Sequence, residues 1–524
     1  MVGGLGPCIT VRVFPAVFSL AALALGVGCG SSSSSPSDAS IAALDARPAY
    51  HFTPPTNWMN DPNGLVHVDG EYHLFYQYNP ALPSWGFIHW GHAVSTDLVH
   101  WTDLPAALAP DPVLGMPFSG SAVVDRDRTS GLCGATAPDC VIAVFTHHGS
   151  AQVQSVAVSD DGARTFRLNH ANPVLSNPGL IDFRDPKVFY HTPTRRWIMV
   201  LAAGDRVRLY GSSNLTGWTH LSDIGPSESL RGGVLECPDL FELPVSNEPG
   251  VMRWVLKIDS NPGGRYGGSG SRYLVGTFDG VTFTPLAQAP QWADFGPDFY
   301  AAQSFANTPA DGRHLWLAWM NNWAYASALP TGSWRGAMTV PREVGLIRAD
   351  DGTYLLTQRP AAELRALRDG APAIEVADQP IGTPCTLLDG LTGDALEIAL
   401  AFEPGTAREV GLAIRRGAGE ETRVGYDAVR GTLFVDRSIS GSTLLRETLP
   451  ARHHAPLRAD GAGLVTLTVL LDRSSVEVFA GDGRAVITDV LLASPASRGA
   501  QLYVDGGTAR LRSLRAWTLR RVLR

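Results

Sequence analysis

Charged residues are scarce in this chain of 524 residues, where they make up 18% of the composition, and the formal net charge is −8. No long run of basic residues is present. Nucleic-acid binding needs a basic footprint that neutralises phosphates, so we expect no nucleic-acid partner. The chain also lacks paired CxxC motifs and an HExxH motif. Structural zinc sites and zinc peptidase activity therefore have no support.

A long hydrophobic run is missing as well. The apolar stretch from Val13 to Val27 follows Arg12 and is too short and too rich in small residues for a good membrane span. It instead predicts an export signal over residues 1–28, followed by a Ser-rich linker over residues 29–47. We therefore expect the mature protein to be exported.

The end of this signal resembles a bacterial lipoprotein signal. It reads Gly26-Val27-Gly28-Cys29, and Cys29 would become the lipidated first residue. The usual aliphatic residue three places before the cysteine is Gly26 here, so ordinary secretion with cleavage nearby is the alternative. Any contact with a membrane would come only through this anchor.

Cysteines are few, with six in the whole chain. Two lie in the signal region. Cys133 and Cys140 flank a short loop and are candidates for a local disulfide in an oxidising compartment. We expect Cys237 and Cys385 to be free and buried.

Glycine, proline and aromatic residues are plentiful by contrast. The chain has 55 Gly, 37 Pro, 13 Trp and 13 Tyr. Many turns together with many aromatic residues indicate an all-β protein rather than a helical bundle. The length indicates more than one domain.

A polar, turn-rich motif followed by apolar and aromatic strands recurs five times. The motifs are spaced 51 to 66 residues apart, and their anchor residues are Asp61, Ser119, Asp185, Glu236 and Asp298. Each interval fits a four-stranded antiparallel sheet with its loops, so five such units predict a five-bladed β-propeller over residues 48–346. The first strand of each blade would line the central channel and bring the five motifs to one axial pocket. A stacked β-sandwich would not explain five such units.

The pattern changes after residue 346. The polar segment Glu363–Arg368 predicts a short helix within a linker over residues 347–380. Alternating runs such as Leu464–Val469 and Ser475–Phe479 then predict a β-sandwich over residues 381–524.

Three of the motifs supply the candidate catalytic carboxylates, namely Asp61, Asp185 beside Arg184, and Glu236. A single Asn-Asp-Pro motif would be an ordinary turn. Three carboxylates in one pocket repel one another unless one of them holds a proton. Glycoside hydrolysis requires that arrangement, with one ionised nucleophile and one protonated acid.

The motifs also resemble the signature set of glycoside hydrolase family 32, which contains invertases, inulinases and levanases. The matching segments are Trp58-Met59-Asn60-Asp61-Pro62-Asn63-Gly64, Phe118-Ser119-Gly120-Ser121, Phe183-Arg184-Asp185-Pro186, Glu236-Cys237-Pro238-Asp239-Leu240, Met320-Asn321-Asn322-Trp323 and Asp472-Arg473-Ser474-Ser475-Val476-Glu477-Val478-Phe479. The resemblance runs from about His51 to Trp517, which is nearly all of the expected mature chain.

The resemblance implies an exo-acting β-fructosidase that hydrolyses terminal fructosyl units of levan, inulin and sucrose by a retaining double displacement. Asp61 would be the nucleophile, Glu236 the general acid and then the base, and Asp185 the stabiliser of the transition state. The family implies no metal and no other cofactor. The sugar-binding shell would consist of Asn60, Gln77, Trp85, Phe118, Ser119, Arg184 and Trp323.

Other interpretations of the same residues stay open at this point. Gln77 could be an ordinary strand residue, and Trp323 could belong to the core. The protein could be an inverting propeller glycosidase acting on arabinose or xylose polymers, a sugar-binding propeller without activity, or a fructosyltransferase. The preference among levan, inulin and sucrose and the oligomeric state are not set by the sequence.

Overall fold

A computed structural model describes residues 46–134, 139–225, 232–287 and 289–522. The predicted export signal and most of the Ser-rich linker, including Cys29, lie outside the described residues. Within the described ranges, no helix is both long and apolar enough to cross a membrane.

The first five sheets follow one another along the chain, and each consists mainly of consecutive antiparallel strands. The first sheet contains β1 (Asn57–Val68), β2 (Glu71–Asn79), β3 (His89–Ser95) and β4 (Thr102–Leu108). The second contains β5 (Met116–Val124), β6 (Val141–His148), β7 (Gln152–Ser159) and β8 (Arg167–Leu168). The third contains β9 (Arg184–His191), β10 (Arg196–Ala203), β11 (Arg206–Ser212) and β12 (Thr219–Ile224).

The fourth sheet contains β13 (Val234–Pro244), β14 (Met252–Asn261), β15 (Gly270–Phe278), β16 (Phe283–Pro285) and β17 (Gln291–Trp292). The fifth contains β18 (Tyr300–Ser304), β19 (His314–Trp319), β21 (Arg342–Arg348) and β22 (Tyr354–Pro360). Strand β20 (Trp334–Arg335) lies between β19 and β21 in the chain, but it pairs in parallel with β1 of the first sheet.

The five sheets are the blades of a β-propeller, as predicted. Their first strands β1, β5, β9, β13 and β18 contact one another in that order, and β18 contacts β1 again, which closes the ring. A parallel bridge between Val66 and Ala306 joins the last blade to the first. The five anchor residues therefore lie on or directly before the innermost strands.

Strand β10 shows why the blades stack. Every residue from Trp197 to Ala203 is buried. Alternate side chains of a strand point to opposite faces, and here Met199 and Leu201 pack into the core shared with the second blade, while Ile198 and Val200 pack into the core shared with the fourth. A strand buried on both faces needs a continuous apolar run, which the sequence supplies.

The chain continues into a two-sheet β-sandwich. One sheet has the order β23-β33-β24-β29-β30-β31 and the other the order β28-β27-β26-β25-β32. Their bounds are β23 (Ile374–Ile381), β24 (Leu396–Glu403), β25 (Glu409–Gly417), β26 (Glu420–Asp427), β27 (Thr432–Ile439), β28 (Arg452–Pro456), β29 (Val465–Asp472), β30 (Ser475–Ala480), β31 (Ala485–Val490), β32 (Gly499–Asp505) and β33 (Ala509–Thr518). The described helices are short: three 3-10 helices at Thr192–Thr194, Ala326–Ala328 and Ala362–Leu367, and the α-helix Leu444–Thr448.

The predicted linker over residues 347–380 needs correction at both ends. Strand β22 extends the fifth blade to Pro360, because the turn at Ala349–Thr353 returns the chain to pair with β21. Strand β23 begins at Ile374 and pairs with β33 of the sandwich. Only residues 361–373 connect the two architectures, and the predicted helix lies there as a 3-10 helix.

Propeller and sandwich share a buried polar network. His51, which precedes the first blade, contacts Asp472 through Nδ1 and Glu477 through Nε2, both at 2.8 Å. Arg342 of β21 donates from Nε to Glu477 at 3.1 Å and from Nη1 to Asp294 at 3.0 Å. Both acidic partners of His51 belong to the sandwich, so the two parts of the chain are joined by buried charges.

Candidate active site

The innermost strands are irregular where the predicted motifs lie. Pairing shifts register between Met59 and Pro62, between Pro117 and Gly120, between Glu236 and Asp239, and between Tyr300 and Gln303. The pairing of β9 with β10 shifts register as well, between the pairs Lys187–Val200 and Arg184–Ala202. Such a bulge adds an unpaired residue and redirects a side chain.

Two site residues have a backbone conformation that non-glycine residues seldom adopt. Asp185 has φ of 64° and Cys237 has φ of 45°. Strain of this kind persists only where the surrounding structure enforces it, and it concentrates at functional sites.

One cavity of about 350 Å³ collects the predicted residues. All three carboxylates and all seven residues of the predicted sugar-binding shell line it. The lining residues are Asn60, Asp61, Gln77, Trp85, Phe118, Ser119, His148, Gln152, Asp182, Arg184, Asp185, Glu236, Asn261 and Trp323.

Sequence reasoning missed four of these residues: His148, Gln152, Asp182 and Asn261. His148 ends β6 and Gln152 begins β7, so both flank a turn that opens towards the cavity. Asp182 lies two residues before Arg184 and accepts a hydrogen bond from its guanidinium. Of the four missed residues, Asp182 is the one that the sequence could have indicated, because it lies close to the predicted site residue Arg184.

Asp61 is held by donors on both carboxylate oxygens. Asn60 Nδ2 donates to Oδ1 at 2.9 Å, and Ser119 Oγ donates to Oδ2 at 2.7 Å. Trp58 Nε1 in turn donates to Asn60 Oδ1 at 2.7 Å and fixes the orientation of that amide. These donors hold the carboxylate in one position.

Asp185 is buried and its pKa is raised to about 7. Burial is the largest cause, and the charges of Glu236 and Asp61 add to it, while Arg184 acts in the opposite direction. The backbone N–H of Cys237 donates to Oδ2 at 3.0 Å. The thiol of Cys237 also contacts Asp185 Oδ2 at 3.6 Å and Asp61 Oδ2 at 3.4 Å, so it lies between the two carboxylates.

Glu236 has a raised pKa as well, again chiefly because of burial. Arg184 Nη2 donates to Oε1 at 2.8 Å, and the hydroxyl of Tyr300 donates to Oε2. Both donors oppose the rise in the pKa of Glu236. Tyr300 belongs to the fifth motif, which sequence analysis recognised only as the anchor of a blade.

Arg184 is the only Lys or Arg that lines the cavity in the described part of the chain, where it pairs with Asp182, Asp185 and Glu236. Burial alone would lower its pKa, but Asp185 and Glu236 raise it, so it stays charged. Its guanidinium is nearer to Glu236 than to Asp185, whose Oδ2 lies 3.8 Å from Nε. One cation among the four carboxylates that line the cavity leaves an excess of negative charge, which favours retention of a proton.

Aromatic side chains form two walls of the cavity. Trp85 is 46% exposed and meets Phe118 edge to face, with ring centroids 6.0 Å apart, and Phe118 stacks on His148 at 4.4 Å. Trp323, which also lines the cavity, stacks on Trp58 at 5.8 Å. Such faces suit the apolar side of a sugar ring, while the amides and carboxylates suit its hydroxyls.

The cysteines and Asp239 have contacts that indicate a structural role. Cys133 and Cys140 form a disulfide with Cα atoms 5.7 Å apart, and Cys237 and Cys385 are free and buried, as expected. Asp239 is fully buried and accepts the backbone N–H of Ser304 at 2.7 Å. Among the residues that the structure describes, no group of three or more His, Cys, Asp or Glu side chains is placed to hold a metal ion.

Comparison with known proteins gives consistent matches along the chain. Residues 51–360 match the family model for the glycosyl hydrolases family 32 N-terminal domain, and residues 363–518 match the model for the family 32 C-terminal domain. A levanase from Bacillus subtilis (strain 168) is 46% identical over 495 residues, which cover 93% of this chain and 72% of the levanase.

An extracellular exo-inulinase from Aspergillus awamori is 38% identical over 501 residues, covering 88% of this chain and 92% of the inulinase. The crystal structure of exo-inulinase from the same organism matches with a TM-score of 0.85 at 36% identity, covering 92% of this chain and 99% of that one.

Proposed function

The chain belongs to glycosyl hydrolase family 32, and from this we propose that it removes terminal β-fructosyl units from fructans and sucrose through a covalent fructosyl-enzyme intermediate. The observation that carries the proposal is the cavity that Asp61, Asp185, Glu236 and Arg184 line together with the aromatic side chains of Trp85, Phe118 and Trp323. A sugar-binding propeller without activity would not need three carboxylates that raise the cost of one another's ionisation.

In the first step Asp61 attacks the anomeric carbon of the terminal fructosyl unit. Asn60 and Ser119 hold its oxygens, so the nucleophile is positioned before substrate arrives. Glu236 gives its proton to the leaving oxygen as the glycosidic bond breaks. The product is a fructosyl ester on Asp61 and a shortened chain that carries the proton.

In the second step Glu236, now ionised, takes a proton from water while the water oxygen attacks the same carbon. The ester bond breaks, and Asp61 leaves as a carboxylate. Two displacements at one carbon return the original configuration, so the product is β-fructose.

Asp185 is proposed to bind fructosyl hydroxyls and to stabilise the cationic transition state. Before substrate binds, its pKa of about 7 lets it compete with Glu236 for a proton. Sugar hydroxyls that donate to Asp185 would favour its ionised form and leave the proton on Glu236. Substrate binding would thus set the protonation state that the first step requires.

Product analysis on levan, inulin and sucrose tests this function. We expect fructose to be released from the chain ends from the earliest time points. A ladder of fructo-oligosaccharides without fructose would contradict the exo mode, and binding without release would contradict the enzyme. Asp61→Asn is the matched control, since it keeps the shape of the side chain and removes the nucleophilic charge.

We also propose export with lipidation at Cys29. The support is the sequence from Gly26 to Cys29 and the similarity to an inulinase described as extracellular. In a bacterial host, labelled palmitate should enter the wild type and not Cys29→Ser, which should move from the membrane fraction to the medium. Equal release of both proteins would contradict the anchor and leave ordinary secretion.

A further inference from the structure

A buried carboxylate directly before β18, that of Asp298, joins the fifth blade to the sandwich. This residue is fully buried and lies two positions before Tyr300. Its Oδ2 accepts hydrogen bonds from Arg437 Nη1 at 3.2 Å and from the backbone N–H of Val490 at 2.8 Å. Both donors belong to the sandwich, whereas the carboxylate belongs to the propeller.

The other oxygen of the same carboxylate holds the loop that carries Trp323. Asp298 Oδ1 accepts a hydrogen bond from the hydroxyl of Tyr325. Asn322 Nδ2 donates to the carbonyl of Pro297 at 2.8 Å, which ties this loop to the same segment a second time. One carboxylate therefore connects the strand start that carries Tyr300 with the loop that carries one aromatic wall.

The sandwich side of this contact is built along β31. The backbone N–H of Phe295 donates to Val486 at 2.8 Å, and that of Asp298 donates to Thr488 at 3.3 Å. An apolar cluster joins Met320 and Tyr325 of the propeller to sandwich residues, namely Leu445, Leu449, Val490 and Leu492. The segment before Tyr300 thus rests on the sandwich through backbone, charge and apolar contacts together.

Arg437 is the only cation that pairs with Asp298 among the described residues. Its side chain is 1% exposed, and Nη1 also donates to the carbonyl of Val490 at 2.9 Å. A carboxylate buried this deeply needs compensating donors, and loss of its charged partner forces it to take up a proton or to move. Only Phe299 lies between Asp298 and Tyr300, whose hydroxyl touches Glu236.

We propose that Arg437 is a positioning residue for the catalytic acid, because through Asp298 it keeps the Tyr300 hydroxyl on Glu236. The inference rests on the proposed function, in which Glu236 is the acid. It makes the sandwich a part of the active-site architecture rather than an appended domain.

Other charged groups near these positions have to be kept constant in any test. Glu236 also faces Arg184, Asp61 and Asp185. The surroundings of Tyr300 and Asp298 include three more groups, namely Cys237, Asp259 and Asp489. None of them is changed in the variants below.

The test compares Arg437→Gln with Arg415→Gln in the pH dependence of kcat on sucrose, using the full exported chain. Arg415 is the matched control, because it is equally buried in the sandwich but bonds only to sandwich carbonyls, those of Ala493 and Ser494. Tyr300→Phe serves as the reference for direct loss of the donor to Glu236.

For Arg437→Gln we expect kcat to fall about tenfold with KM nearly unchanged, a part of the roughly 100-fold that a displacement of about 1 Å can cost. The alkaline limb should move to higher pH, as in Tyr300→Phe, because a donor that favours the ionised form of Glu236 is lost. Arg415→Gln should lower the melting temperature and leave the limb in place.

An Arg437→Gln protein that loses melting temperature but keeps its kcat and its alkaline limb would overturn the inference. If that variant fails to fold, Arg437→Lys is compared with Arg415→Lys. Lysine keeps the positive charge, but its shorter side chain ends short of the Nη1 position, so a smaller shift in the same direction is expected, and no shift overturns the inference. A wild type that releases no fructose would instead overturn the proposed function.

Discussion

Replacing His51 by Gln should remove a pH-dependent part of the free energy of unfolding. His51 lies between Asp472 and Glu477, and all three side chains are fully buried. Burial by itself lowers the pKa of His51, but the hydrogen bonds and charges of the two acids outweigh it and raise the pKa to about 9. In the unfolded chain the pKa returns to about 6.5.

The size and sign of the effect follow from this difference. A rise in pKa from about 6.5 to about 9 corresponds to about 3 kcal/mol of stabilisation. The folded state holds the proton more tightly, so the stabilisation is complete below about pH 6.5 and is lost as pH rises to about 9. The free energy of unfolding should fall by about 1.4 kcal/mol per pH unit between those values.

Urea unfolding at intervals from pH 6.5 to 9.5 measures this slope in the wild type and in His51→Gln. Asp185 also binds a proton more tightly in the folded state, but its pKa of about 7 confines its contribution to the lower end of the range. The difference between wild type and variant removes this and every other shared titration. The variant should be less stable at pH 6.5, because two buried carboxylates lose a charged partner.

Parallel pH dependences of the two proteins would refute the reasoning. They would mean that His51 is neutral in the folded state, or that its proton is not bound more tightly there than in the unfolded chain. Convergence of the two curves towards pH 9 would support it, because the stabilisation that distinguishes the wild type is lost there.

Further outcomes are expected at the active site and at the disulfide. Asp61→Asn should lose at least about 100-fold in kcat with an unchanged melting temperature, and retention of more than about a tenth of the rate would contradict a nucleophile. The wild-type pH–rate profile should be a bell centred below neutrality, since the coupled acids must hold one proton and release another. Glu236→Gln should flatten its alkaline limb and harm levan turnover far more than turnover of an activated aryl fructoside; equal loss on both substrates would remove Glu236 from the acid role. Reduction of Cys133–Cys140 should leave activity unchanged and lower the melting temperature little, because the bridge spans only 7 residues. A large drop would show that the bridge anchors more than its own loop.

The propeller could be predicted because each blade repeats the same local sequence pattern. A polar motif is followed by an apolar strand at every anchor from Asp61 to Asp298, and that order is visible in the sequence. The linker was predicted too long, because strands β22 and β23 consist of mixed polar and apolar residues whose partners lie elsewhere in the chain. Their pairing with β21 and β33 forms only in the tertiary structure, and no local sequence pattern predicts it.

The membership of the cavity could likewise be anticipated residue by residue, whereas the contacts inside it could not. Tyr300 was recognised only as part of an anchor, although its hydroxyl binds Glu236. Cys237 was expected to be a small buried residue, yet its thiol lies between Asp61 and Asp185. A bulge in each innermost strand decides these contacts, and a bulge depends on the register with a neighbouring strand.

The sequence by itself determined the residue types that can do the chemistry and the order in which five blades present them. It did so because side-chain chemistry and strand periodicity are local properties. The tertiary structure alone decided which oxygen each donor meets, how strongly burial and neighbouring charges raise the pKa of Asp185 and Glu236, and how Arg437 of the sandwich reaches Asp298. Those properties depend on distance and on exclusion of water, and neither exists until the chain has closed its ring of blades against the sandwich.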